Sequence, residues 1–267
     1  MGRSTSDLGS CVRIQWPEGK SFAFTVFDDP DFQSLERGVP VYEFLSDLGY
    51  RTTKGVWPGD EECPPADRWG TCMDPAYLNW ALALQERGFE IGWHGAAPRT
   101  SSREKTAAGF ERFAKMFGHP PLTMSQHYAC KENMYWGDER LTSGPLRLAY
   151  NVLTRWKNHG SFDGHVPGSP NYWGDLARRS VKYTRNFVFA EINTLKVCPP
   201  MPYHDPARPE VNWWYAAAEG TTWPRSRGCF VRRIRTGWKQ RAEPASCTPI
   251  SHTDSRTGAC PTPGSKA

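Results

Sequence analysis

The chain has 267 residues, 38% of them hydrophobic and 23% charged, with a mean hydropathy of -0.65; these are the proportions of a globular chain, not of a disordered or membrane-embedded one. No run of about 18 apolar residues occurs, and the polar stretch from Met1 to Lys20 lacks the apolar centre of a signal peptide, so the expectation is a cytoplasmic protein with no membrane partner. The net charge of +5 is concentrated after residue 221, where seven Arg and two Lys stand against one Glu and one Asp; the rest is net acidic, and nucleic acid is not the expected partner.

In chain order, short apolar runs alternate with helical patterns, which predicts βα units of α/β class in a parallel sheet or barrel. Phe22–Phe27 reads as the first strand, and Val39–Leu48 as a helix with Val41, Phe44, Leu45 and Leu48 on its buried face. Thr52–Trp57 is the second strand. Pro75–Arg87 is a helix burying Leu78, Leu82 and Leu84, with Gly88 as a left-handed stop, and Phe89–Trp93 is the third strand. Ser101 to Glu104 reads as a capping box before a helix carrying Phe110, Phe113 and Phe117 and ending near Gly118. Leu122–Gln126 is the fourth strand, with His127 at its exit. Leu146–Trp156 is helical, Phe187–Ile192 strand-like, and Trp213–Ala218 either strand or helix.

Three regions follow: an extension over 1–20, a barrel domain over 21–221, and a segment over 222–267 that has no Leu and no Met and shows no apolar period. That segment reads either as a disordered basic tail or as sequence translated out of frame, which leaves the barrel incomplete at its C-terminal end. The eight cysteines form no C-x-x-C pair and are expected as reduced thiols; Cys63 and Cys72 flank one loop and are near enough in sequence to bridge under oxidising conditions.

The first strand runs directly into Asp28, Asp29 and Asp31. Adjacent carboxylates at a strand end repel unless a cation lies between them, and a divalent ion allows one to bind it while the other accepts a proton. A solvated turn is the competing reading. His94 follows the third strand, where a barrel would bring it to the same mouth as Asp28 and Asp29. Trp57, Trp93, Trp136 and Trp173 lie near strand exits or loops, where rings can stack on sugars or simply pack. His165, Asp175, His204 and Asp205 lie in Pro/Gly-rich loops that read either as functional loops over the mouth or, the preferred reading, as turn chemistry.

The order strand, Phe27-Asp28-Asp29, helix, strand, helix, "GFEIGWH", helix, strand resembles the NodB-homology polysaccharide deacetylases, carbohydrate esterase family 4, and within them bacterial deacetylase-like proteins with an Asp-Asp-x-Asp motif. The resemblance covers about residues 20–220 and implies a distorted (β/α) barrel. It also implies a divalent metal, zinc, and hydrolysis of acetyl groups on a carbohydrate or oligosaccharide. Carried over, Asp28 is the catalytic base, and Asp29 and His94 are metal ligands.

Three departures stand out. The family's second metal His falls at Pro98 or Arg99 here, which would put a fixed cation where an imidazole should bind. The motif after strand four is replaced by "SQHYAC", offering His127 as third ligand or acid, with a hydrogen-bonded structural His as the alternative; Asp31 is open between a supporting acid and a turn former. No Leu-x-His strand appears in the tail. An inactive relative, an imidase-like hydrolase of a non-sugar C–N bond, and a nucleic-acid binder acting through the tail are the competing functions.

Overall fold

The alternation of apolar runs and helical patterns becomes a parallel sheet with helices outside it, in a computed structural model that describes residues 18, 23–59, 69–141, 143–189, 202–218 and 244–247. Six strands pair in sequence order, each parallel to the next: β1 (Ala23–Asp28), β2 (Thr53–Val56), β3 (Glu90–Trp93), β4 (Thr123–Met124), β5 (Tyr183–Phe189) and β6 (Trp213–Ala218). The sheet curls. A seventh strand, β7 (Pro244–Cys247), runs along β1 over four residues and meets β6 through the single pair Ala218 and Cys247, closing the ring.

The α/β class expected from the sequence is therefore present as a curled parallel sheet. Where the sequence led to a barrel incomplete at its C-terminal end, closure of the ring depends on four residues of the 222–267 segment. The remainder of that segment, the extension before β1 apart from Glu18, and Cys63 lie outside the described residues. Cys72 and Cys130 are buried free thiols.

Helix α1 (Leu35–Asp47) starts four residues before the expected Val39 and buries Gly38 and Tyr42, while Phe44 and Leu48 are 62% and 56% exposed. The face is set by contact with the next helix and by a polar tip. A Cβ at Gly38 would lie 2.7 Å from Trp80, so only glycine allows this approach. Four residues on, Tyr42 packs edge-on against Trp80 and Phe89 and sends its hydroxyl to Asp28. The apolar count favoured the wrong face because it gave that hydroxyl no weight.

Helix α2 (Pro75–Glu86) is capped by Asp74, whose Oδ1 accepts from Ala76 N at 2.9 Å, with Pro75 at the first helical position. It buries Tyr77, Ala81 and Leu84; Leu78 and Leu82 are only partly covered. Gly88 has φ +87°, the left-handed stop expected there. Helix α3 (Arg103–Phe117) buries Phe110, Phe113 and Phe117 as predicted, begins on Ser102 and ends on a left-handed Gly118 at φ +78°.

Helix α4 (Gly144–Leu153) overlaps the predicted stretch Leu146–Trp156 but starts two residues earlier and ends three earlier, and Trp213–Ala218 resolves as strand. The sequence reading missed α5 (Gly174–Ser180) and a 3-10 turn at Gly137–Arg140. Both are short and lack an apolar period. The core gathers Tyr42, Val56, Tyr77, Leu84, Ile91, Phe113, Met124 and Trp214 between sheet and helices. Among the described residues, no helix is long and apolar enough to cross a membrane.

Candidate metal centre

Parallel pairing sends all strand ends of one polarity to one rim, and register decides which side chains meet there. Asp28 is the register partner of Lys54, and Trp93 that of both Val56 and Met124. His94 and Ser125, each one residue past its strand, therefore leave the sheet at one level: His94 N bonds Val56 O and Ser125 N bonds Trp93 O. Met124 pairs with Thr184, so Arg185 stands beside Ser125 at that level too.

Asp31, His94 and His127 converge at this rim with one donor atom each, all within 4.8 Å of one another. His94 Nε2 lies 3.2 Å from His127 Nδ1 and 3.5 Å from Asp31 Oδ2, and His127 Nδ1 lies 2.9 Å from Asp31 Oδ1. That Oδ1 is buried, yet no hydrogen bond of acceptable alignment reaches it. Two imidazole nitrogens and a carboxylate oxygen, one of them without an aligned donor, are a donor set suited to a divalent cation such as zinc. These residues can hold a metal ion.

Burial works to raise the Asp31 carboxyl. The facing His94 and His127 rings outweigh it and hold the group well below the usual carboxylate range. Behind the three lies an aromatic wall: Trp57 meets the edges of both His94 and His127 and stacks on Trp69 at 5.5 Å. Trp57 is 0% exposed, Trp93 2% and Trp173 3%, so these rings pack the interior and offer no face to a sugar. Trp136 carries the Arg140 guanidinium 3.2 Å over its ring.

The expected residues fall into distinct settings. Asp28 is buried; its Oδ2 accepts from Tyr42 Oη at 2.9 Å and from Gln33 Nε2 at 2.9 Å, and stands 3.3 Å from Lys54 Nζ. Asp29 lies beside His94 without joining the three converging donors. Its Oδ1 accepts from Ser125 Oγ at 2.7 Å and is 3.4 Å from His94 Nδ1, while Oδ2 pairs with Arg185 at 2.5 Å. His127, left open by the sequence, sits in the cluster, and so does Asp31.

Arg99 does not obstruct the site: its side chain is exposed, and its carbonyl accepts from Ser101 Oγ. The second imidazole beside Asp31 is that of His127, from the neighbouring strand end.

Of the loop residues, Asp205 makes a turn contact, while Asp175 lies in α5 and His165 and His204 bind partners elsewhere in the chain. Asp175 is bridged by both terminal nitrogens of Arg103 at 2.8 Å, His165 pairs with Glu139, His204 binds the Asn212 carbonyl, and Asp205 accepts from Ala207 N.

Sequence reasoning missed Lys54, Ser125, Arg185 and Tyr42, all buried and all touching the acids. One signal was available, since Lys54 interrupts the otherwise uncharged strand Thr52–Trp57 and a lysine buried there needs an anion.

No protein-family model matches the sequence, and no curated protein is similar to it. Among solved structures, peptidoglycan deacetylase PdaC from Bacillus subtilis, studied as a mutant, aligns at 15% identity and a TM-score of 0.29. The alignment covers 53% of this chain and 57% of that one, little more than half of either.

Proposed function

We propose that the protein is a metal-dependent hydrolase that removes acetyl groups from a carbohydrate or oligosaccharide, acting on a non-peptide C–N bond. The observation that carries this reading is the convergence of Asp31, His94 and His127 at one rim, with a buried Asp31 oxygen that no aligned donor satisfies. The carbohydrate substrate rests on the sequence resemblance around Phe27-Asp28-Asp29 and His94. A divalent ion, zinc in this proposal, would be held by these three residues and supplies Lewis acidity toward an acyl oxygen.

The remaining chemistry belongs to the chain. Asp28 takes the proton of the attacking water. Tyr42, Gln33 and Lys54 all address its Oδ2 and leave Oδ1 outside these contacts. The ligand role expected for Asp29 passes in this proposal to Asp31, because Ser125 and Arg185 already engage both Asp29 oxygens. Trp57 shields both rings from water on one side.

The test is zinc content by elemental analysis of the purified full chain, together with acetate release from acetylated chito-oligosaccharides and turnover of cyclic imides. The reading expects about one zinc per chain and acetate release that disappears in Asp31→Ala and Asp28→Asn. Imide turnover without acetate release, or full activity in Asp31→Ala, overturns it.

A further inference from the structure

A chain of hydrogen bonds leads away from His94 on the side opposite Asp31 and His127. Its Nδ1 lies 2.7 Å from Ser125 Oγ, and Ser125 Oγ donates to Asp29 Oδ1 at 2.7 Å. Asp29 is held in turn by Arg185 through Oδ2. Each link comes from a different strand or strand end: Arg185 from β5, Asp29 just past β1, Ser125 just past β4 and His94 just past β3. Burial disfavours the Arg185 charge, but the Asp29 carboxylate more than offsets this, and the guanidinium pKa is raised.

The proton inventory gives this chain a direction. Arg185 can only donate, so Asp29 stays an acceptor at both oxygens. The one hydroxyl hydrogen of Ser125 then goes to Asp29, and its lone pair accepts from His94. In a neutral imidazole the proton therefore sits on Nδ1, leaving the lone pair of Nε2 toward Asp31 and His127. With Ser125 0% exposed and His94 1% exposed, no bulk water competes for these atoms.

We propose that Asp29, Ser125 and Arg185 form a positioning relay whose task is to fix His94 in the Nδ1–H tautomer, so that Nε2 is presented as a ligand. Asp29 acts through Ser125 and is not itself a ligand. The inference rests on the metal-centre reading for its purpose, but the relay is a property of the metal-free chain and is measured there.

The experiment uses the full chain in two states. In metal-free protein at a pH where imidazoles are neutral, nitrogen-15 correlation spectra report the His94 tautomer; in parallel, zinc affinity is measured by competition with a chromophoric chelator. Wild type should show Nδ1–H. Ser125→Ala should give mixed tautomers and 10- to 100-fold weaker zinc binding, the usual effect of removing such a partner.

Asp29→Asn makes the sharper prediction. Arg185 should orient the new amide with its oxygen inward and its NH2 toward Ser125, so that Ser125 donates to His94 Nδ1 and the proton moves to Nε2. A merely structural Asp29 would not reverse a tautomer. Retention of Nδ1–H in Asp29→Asn, or wild-type zinc affinity in Ser125→Ala, overturns the relay. If wild type binds no zinc while the tautomer responds as stated, the relay stands and the metal reading fails.

Discussion

Asp28 and Lys54 are register partners on adjacent parallel strands, and their side chains meet on the helix-covered face of the sheet beside Tyr42, Nζ to Oδ2 3.3 Å, with Lys54 fully buried. Burial lowers the Lys54 pKa, while Asp28 acts in the opposite direction. The ammonium also donates to Gly55 O at 2.6 Å. Removing one member of such a pair strands the other charge, which costs about 3–5 kcal/mol. Lys54→Met should therefore destabilise the fold by that order in urea titration, and Lys54→Met with Asp28→Asn should recover most of the loss. Destabilisation in the double variant equal to the sum of the Lys54→Met and Asp28→Asn losses would show that the pair is uncoupled.

Glu132 faces a small cavity lined also by Trp93, His94, Thr106, His127 and Trp173. Its Oε2 and Thr106 Oγ1 are buried without hydrogen-bond partners, and burial pushes its pKa up from 4.5 to about 7. A carboxyl whose folded pKa is raised contributes stability below its unfolded value and loses it as pH rises through the folded one. Glu132→Gln cannot ionise, so its stability relative to wild type should improve by a few kcal/mol between pH 5 and pH 9. Parallel stability curves for the two proteins over that range would refute this.

Asp138 shows the opposite sign. Its side chain is 0% exposed, and burial alone would raise its pKa, but Asn151, His159 and Arg147 all reach Oδ2 and lower it from 3.8 to about 2. Stability from a depressed carboxylate is present above the unfolded pKa and is lost as pH falls through the folded one. Between pH 5 and pH 2, wild type should lose about 1–2 kcal/mol more than Asp138→Asn. Acid titration followed by circular dichroism measures the difference.

Zinc binding to the folded chain alone stabilises it by mass action, about 2.7 kcal/mol at a hundredfold excess over Kd. The melting temperature should rise with added zinc and fall on chelation in wild type. It should stay fixed in His127→Ala, which lacks one of the three donors. An equal zinc response in His127→Ala would place the ion elsewhere.

Legibility in the sequence followed locality. Helices α2 and α3 could be read down to their stops because Gly88 and Gly118 supply left-handed turns that few other residues adopt. Helix α1 was displaced because its face is chosen by Trp80 and Asp28, which are distant in sequence. In the site, strand ends pointed to Asp28, Asp29, His94 and His127. Their division of labour was not legible, since it depends on register: Ser125 and Arg185 reach Asp29 only because β1, β4 and β5 curl into one ring. Asp31 could not be distinguished from a turn residue until His127, from another strand end, was seen beside it.

The seam between β7 and β1 bears on the order of assembly. Strand β1 leads into all three acids and has β2 on one flank and β7 on the other, a neighbour supplied by the far end of the chain. During synthesis β1 to β6 can emerge and pair in turn, but the acid-bearing strand keeps an open edge until β7 leaves the ribosome, and pairing across that sequence distance forms slowly. A nascent chain halted before residue 244 would thus present β1 as a free edge open to another chain, and the last step of folding would be the one that shelters the acids.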